Sequence, residues 1–213
     1  MKIMKRIKSA RGGSAPGRKV IIFDLDDTLI DTDRIRSNIV KLAQNLGVSK
    51  KNALVARAKV RSFSNPFVIE NYAKFLFPRD AKKRKSLIRN FNRMFVKHAG
   101  FNYEGVNNFL RDLNKKYLLI LLTYGNNKFQ KKKIAQSGFS RFFKDIIITP
   151  DNTKLAPVVS LIRKYGTEML FIDNAKATCD AACELGLPFV WVTSANKNSS
   201  YFKKLASRIK KVH

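Results

Sequence analysis

Five short apolar runs punctuate the chain, at 20–23, 117–122, 146–148, 169–172 and 189–192. Each is continuous rather than alternating in polarity, the pattern of parallel strands covered on both faces. Helical stretches separate the last four, at about 126–137, 155–165 and 175–186, and a final one runs near 198–210. Strand, helix and strand in succession predict right-handed crossovers and an α/β, doubly wound parallel sheet. The rhythm breaks at 33–100, which shows no strand pattern. There Ile35, Ile39, Leu42, Ala43 and Leu46 share one helical face, and Leu87, Ile88, Phe91, Met94 and Phe95 share another. Gly47, Ser64-Asn65-Pro66 and Pro78 supply the breaks, with Asn65-Pro66 predicting a helix start. The segment 33–100 therefore reads as an all-helical insert after the first strand, between the two parts of a core at 19–32 and 101–213. Residues 1–18, broken by Gly12-Gly13 and Pro16-Gly17, read as a flexible basic arm.

Composition adds a core and an unusual charge. The 213 residues are 45% hydrophobic and include 16 Phe, enough to fold without staples. Cys179 and Cys183, one helical turn apart, make neither a disulfide framework nor a structural zinc site. His98 and His213 are isolated, and neither reads as a ligand. Lys and Arg number 43 against 15 Asp and Glu, a net charge of +28. Seven of the basic residues fall in 1–19, so most of the charge belongs to the folded body. A surface of this sign attracts polyanions such as nucleic acid, ribosomes or phosphorylated substrates. No run approaches the roughly 20 apolar residues that span a bilayer. The start lacks the apolar region of a signal peptide, and the expected location is cytoplasmic.

The scarce acidic residues are concentrated. Asp24, Asp26, Asp27, Asp31 and Asp33 fall within ten positions, directly after the first apolar run. Carboxylates so close repel and raise one another's pKa unless a cation, water or chemistry takes up the charge. Strand ends of an open α/β sheet are where ligands bind. The other runs deliver candidates to the same edge: Thr123-Tyr124-Gly125-Asn126 after the second, Lys154 after the third, and Asp173-Asn174 after the fourth. Carboxylates, a hydroxyl and an ammonium converging there suit a metal-assisted phosphate site. Gly125 and Asn126 precede a helix, whose free N–H groups favour an anion.

Asp24-Leu25-Asp26-Asp27-Thr28 resembles the first motif of the haloacid dehalogenase (HAD) superfamily, and the ordered set matches its four motifs over roughly 20–192. The resemblance implies a Rossmann-like core with a type-1 helical cap at 33–100. It implies a Mg²⁺-dependent phosphatase in which Asp24 is the nucleophile. Asp26 would protonate the leaving oxygen and then activate water, a task that favours a raised pKa. Thr123, Tyr124, Gly125, Asn126 and Lys154 would bind the phosphoryl group. Asp24, the Asp26 carbonyl, Asp173 and Asn174 would hold the Mg²⁺. The presence of Asp26 weighs against a C–halogen substrate. The chain departs from the family at Leu155 and at Asn174, a neutral residue where many relatives carry an acid. Asp27 reads as solvated or structural, and Thr28 as a hydrogen-bonding residue that shapes the loop.

Substrate choice is expected in the cap, which carries Arg57, Lys59, Arg61, Lys82-Lys83-Arg84-Lys85, Arg89 and Arg93. Arg57 and Arg61, one turn apart, would form an anion-binding pair if they face the cleft. Phe63, Phe67, Phe75 and Phe91 read as cap core. The expected substrate is small and anionic, such as a nucleotide or sugar phosphate, with mutase-type transfer to a sugar also open. The alternative is a HAD-derived scaffold that binds nucleic acid or ribosome through its basic surface.

Overall fold

The computed structural model describes residues 18–61, 66–95, 100–193 and 197–212. The arm at 1–17, Phe63, the Ser64-Asn65 break, His98 and His213 lie outside them. Five strands form one parallel sheet: β1 (Val20–Phe23), β2 (Leu118–Tyr124), β3 (Asp145–Thr149), β4 (Met169–Asp173) and β5 (Phe189–Trp191). Their order across the sheet is β3-β2-β1-β4-β5. This is the α/β, Rossmann-like, doubly wound architecture that the run pattern implies. β1 is central, and the chain leaves it in one direction to β2 and β3, then returns to β4 on its other side. The resulting switch point lies between the ends of β1 and β4, where Phe23 is in register with Ile172.

Alternate side chains of β1 feed two cores, as the pleat requires. Ile21 and Phe23 join a cluster with α5 (Val106–Asn114), α9 (Ser199–Val212) and the helices of the insert. Val20 and Ile22 join a second cluster with α7 (Leu155–Tyr165) and α8 (Lys176–Glu184). Phe23 meets Phe109 edge-on at 5.9 Å and is wholly buried. Burying such a side chain contributes about 1.5–3 kcal/mol. The outer strands are less covered than a continuous apolar run predicts: Phe189 and Trp191 of β5 are exposed. β2 runs two residues beyond the expected strand because Thr123 and Tyr124 pair with Ile148 and Thr149 of β3.

Between β1 and β2 stand four helices and then α5. The four are α1 (Thr32–Gln44), α2 (Lys50–Val60), α3 (Ile69–Leu76) and α4 (Ala81–Met94). Side-chain caps start three of them, from Asp31 to the Arg34 N–H, Ser49 to Asn52 and Asp80 to Lys83. No side chain caps α3, which begins at Ile69. Buried Phe67, Tyr72, Leu87 and Phe91 tie the insert together. α6 (Asn127–Ser137) follows β2 and stops where Gly138 turns left-handed, at φ 69°. Two of the expected core aromatics, Phe67 and Phe91, are buried, whereas Phe75 is exposed beneath the Lys59 ammonium.

Candidate active site

The Asp24 N–H donates to the Ile172 carbonyl at 2.9 Å, so the first residue past β1 is still fixed to β4. Asp173 ends β4 and is fully buried. Asp24 and Lys154 are each 4% exposed. The Lys154 ammonium lies 2.5 Å from Asp24 Oδ1 and 2.8 Å from Asp173 Oδ2, bridging the two strand ends. Lys154 reaches this position from a left-handed backbone, φ 56°, directly before α7. Asp27 has φ 54°, and the two are the non-glycine residues of positive φ among those described. Such strain gathers where a site holds the chain in place.

Burial pushes the Asp24 carboxyl up, the Lys154 charge pulls it down, and the Asp173 and Asp26 charges push it up again; the net direction is upward. Lys154 is pushed up despite its burial, by the charges of Asp24 and Asp173. Asp24 Oδ2 is buried and has no hydrogen-bond partner. Asp173 Oδ1 accepts from the Ala175 N–H at 2.7 Å. A buried carboxylate oxygen without a partner, in a hard-oxygen setting, fits a metal ligand. Among the described residues no three Asp, Glu, His or Cys side chains form a metal cluster. A cation here would therefore draw on carbonyl and water oxygens besides Asp24 and Asp173. Asn174 is half-buried, and its backbone carbonyl accepts from the Trp191 indole N–H at 3.0 Å.

Asp26 has company that the sequence did not suggest. Lys133 of α6 lies 2.5 and 2.8 Å from its two oxygens. Gln130, one turn earlier, donates to Asp26 Oδ2 at 2.7 Å, and the Thr32 hydroxyl donates to Oδ1 at 2.6 Å. Burial raises the Asp26 carboxyl, but the Lys133 charge and these hydrogen bonds outweigh it and hold it at about 2. The raised pKa expected for Asp26 is thus corrected to a lowered one, because an ammonium faces it. Gln130 and Lys133 share one face of α6 at i, i+3 spacing. Lys133 was hidden in the run Lys131-Lys132-Lys133, which reads as a solvated surface.

The second-strand candidates fall into two groups. Thr123 is buried, and its hydroxyl accepts from Gln130 at 3.0 Å. Gln130 therefore joins Thr123 to Asp26, and its amide also meets the Tyr124 carbonyl. Gly125 has φ 152°, and a Cβ there would come within 2.7 Å of Gln130 Nε2. The glycine makes room for this bracket. Asn126 instead caps α6, accepting from the Phe129 N–H at 3.1 Å, so one of the helix N–H groups expected to face an anion is already engaged.

Asp27 is structural: it pairs with Arg36 at 3.0 Å and accepts from the Thr32 N–H at 3.0 Å. Thr28 departs from expectation, its hydroxyl being buried without a partner, while its N–H donates to Leu25. Cys179 is buried and Cys183 exposed, both as free thiols; burial pushes the Cys179 thiol up to about 12. No helix of the described residues is long and apolar enough to cross a membrane.

The model of the haloacid dehalogenase-like hydrolases matches residues 21–192. Many solved structures share the fold. A haloacid dehalogenase-like family hydrolase from Xanthomonas campestris is 15% identical, with a TM-score of 0.68, over 94% of this chain and 96% of that one. YfnB from Bacillus subtilis, assigned as a HAD-hydrolase and bound to magnesium, is 16% identical, with a TM-score of 0.64, over 89% and 99%. The 2-haloacid dehalogenase of Pseudomonas syringae is 15% identical, with a TM-score of 0.61, over 91% and 100%. At such identities the likeness is one of fold. A search of the curated proteins finds no match.

Proposed function

The chain belongs to the haloacid dehalogenase-like hydrolase family, and from that premise we propose that it hydrolyses a phosphate monoester through an aspartyl-phosphate on Asp24. The observation that carries this reading is the state of Asp24. One oxygen is held by a buried ammonium, and the other is buried with no partner. Asp24 attacks phosphorus through one carboxylate oxygen and would meet the cation through the other, while Lys154 offsets the charge that gathers on the phosphoryl oxygens. Thr123, and the Tyr124–Asn126 turn beside it, hold the phosphoryl group from the β2 side. Asp24, Asp173 and Asn174, with the Asp26 carbonyl, would hold Mg²⁺. When bound, that ion supplies positive charge against the phosphoryl oxygens.

Asp26 enters as a carboxylate, the form that takes a proton from the hydrolytic water. Donation to the leaving oxygen needs its protonated form, which the Lys133 ammonium opposes, so the proton for the leaving oxygen would come from an ester bound as its monoanion. The helical insert acts as a cap that excludes water and reads the leaving group. Asp26 also favours phosphate over halide, although a 2-haloacid dehalogenase shares the fold.

The test is nitrophenol release from an aryl phosphate, with Mg²⁺ and after chelation. Turnover that needs the metal and falls by about 10³-fold or more in Asp24→Asn is the expected result. No turnover across a panel of phosphate esters would sink the reading. The net charge of +28 favours a second reading, a polyanion-binding scaffold. Its mark is nucleic-acid binding that is salt-sensitive and indifferent to Asp24→Asn.

A further inference from the structure

The anion-binding pair expected at Arg57 and Arg61 does not form as such. Arg61 caps the end of α2 and is exposed. Arg57 is half-buried and lies over the Phe67 ring, its Cζ 5.9 Å from the centroid. Phe67 packs on Tyr72 of the insert at 5.6 Å and on Phe129 of α6 at 6.0 Å. Phe129 lies in turn 4.7 Å from the Lys133 ammonium, which grips Asp26. Arg57 therefore stands where the insert meets the catalytic rim. Arg36 stands at the same seam, tied to Asp27 of the first motif at 3.0 Å and to Asp33 at 2.6 Å.

The two arginines differ in one respect. Arg36 has two carboxylates. Arg57 makes no ion pair among the described residues; the Nε of each arginine is buried without a hydrogen bond. The fields of Arg36 and Arg61 add to burial in disfavouring the Arg57 charge. A half-buried guanidinium beside two like charges is costly unless something supplies the anion. The cation–π contact with Phe67 holds the guanidinium at the seam, and its fork suits a bidentate partner.

Resting on the phosphatase reading, we propose that Arg57, flanked by Arg36, binds a second anionic group, a carboxylate or a further phosphate, carried on the leaving-group side of the substrate. The transferred phosphoryl group belongs to Lys154 and Thr123. Arg57 lies on the insert and is joined to the rim through Phe67 and Phe129. The substrate class is then a phosphate ester whose alcohol portion is itself anionic, rather than a neutral sugar phosphate.

Non-hydrolysable phosphonates separate the two claims. Affinities are measured by calorimetry, with Mg²⁺, for plain alkylphosphonates and for ω-carboxyalkylphosphonates of increasing chain length. In the parent protein a carboxylated member of suitable length binds about tenfold or more tighter than its plain counterpart. Arg57→Met abolishes that advantage and leaves the plain phosphonate unchanged. Arg57→Lys, which keeps the charge but loses the fork, retains part of it, and Arg61→Met retains all of it. Plain phosphonates that bind with no carboxylate advantage at any length overturn the Arg57 assignment alone. So does an Arg57→Met variant that weakens both series equally or neither. Binding of neither series overturns the phosphate site itself, and the assignment with it.

Discussion

The rim of the sheet and the helical insert treat charge in opposite ways. At the rim, Asp24 and Asp173 share the Lys154 ammonium, and Asp26 takes that of Lys133. Lys154 is as buried as Asp24, and Lys133 is more buried than Asp26. In the insert, α4 carries Lys82, Lys83, Arg84, Lys85, Arg89 and Arg93 and no acid within its length. Most of these side chains lie in water. A chain with 15 acidic residues places several where burial makes each ion pair strong, and leaves the insert to repel itself. Charge fixes geometry at the rim, whereas in the insert it governs what the surface attracts.

The largest expected effect tests the rim. Lys154→Met leaves two buried carboxylates facing each other, and it should lower the unfolding free energy by about 3 kcal/mol, as loss of one partner from a buried pair does. Urea denaturation reads this directly. A loss under about 1 kcal/mol, the range of exposed pairs, would erase the contrast. Next comes Lys133→Met. The Asp26 carboxyl sits at about 2 against an ordinary 3.8, so its ionised form stabilises the folded state above that ordinary value. That contribution is lost as pH falls toward 2. The variant should be less stable at neutral pH by about 2 kcal/mol, and its stability should vary less across that acid window. Unchanged acid sensitivity would show that other carboxylates govern it. The smallest effect belongs to the insert. Replacing exposed Lys85, Arg89 and Arg93 together by Gln should change stability by about 0.5 kcal/mol or less. The same variant should bind duplex DNA more weakly and with a shallower salt dependence, as measured by fluorescence anisotropy.

Much of this arrangement could be read in the chain. The inner strands appear as unbroken apolar runs because helices cover the middle of the sheet on both faces. Asp24, Lys154 and Asp173 are legible because each follows a strand, and in a parallel sheet the strand ends share one edge. Their meeting at a single ammonium is the convergence that this order implied. Gln130 and Lys133 were not legible. Their role depends on how α6 is rotated against β1 and β2, and a lysine in a run of three carries no mark of burial. α5 was missed although Val106, Phe109, Leu110 and Leu113 are spaced for one helical face. Polar neighbours and a short length diluted that signal. The Asp26 pKa was misjudged for the same reason as Lys133: neighbouring acids are visible in sequence, while a cation 107 positions away is not.

The left-handed turn at Lys154 has a consequence for anyone wishing to make this protein hardier. Glycine would sit more comfortably at that backbone angle, and by local criteria the exchange looks like an improvement. It would also remove the ammonium that stitches β1 to β4, leaving the middle of the sheet with two unanswered acids. Optimising the turn and keeping the stitch are incompatible aims at this position, and the fold has kept the stitch.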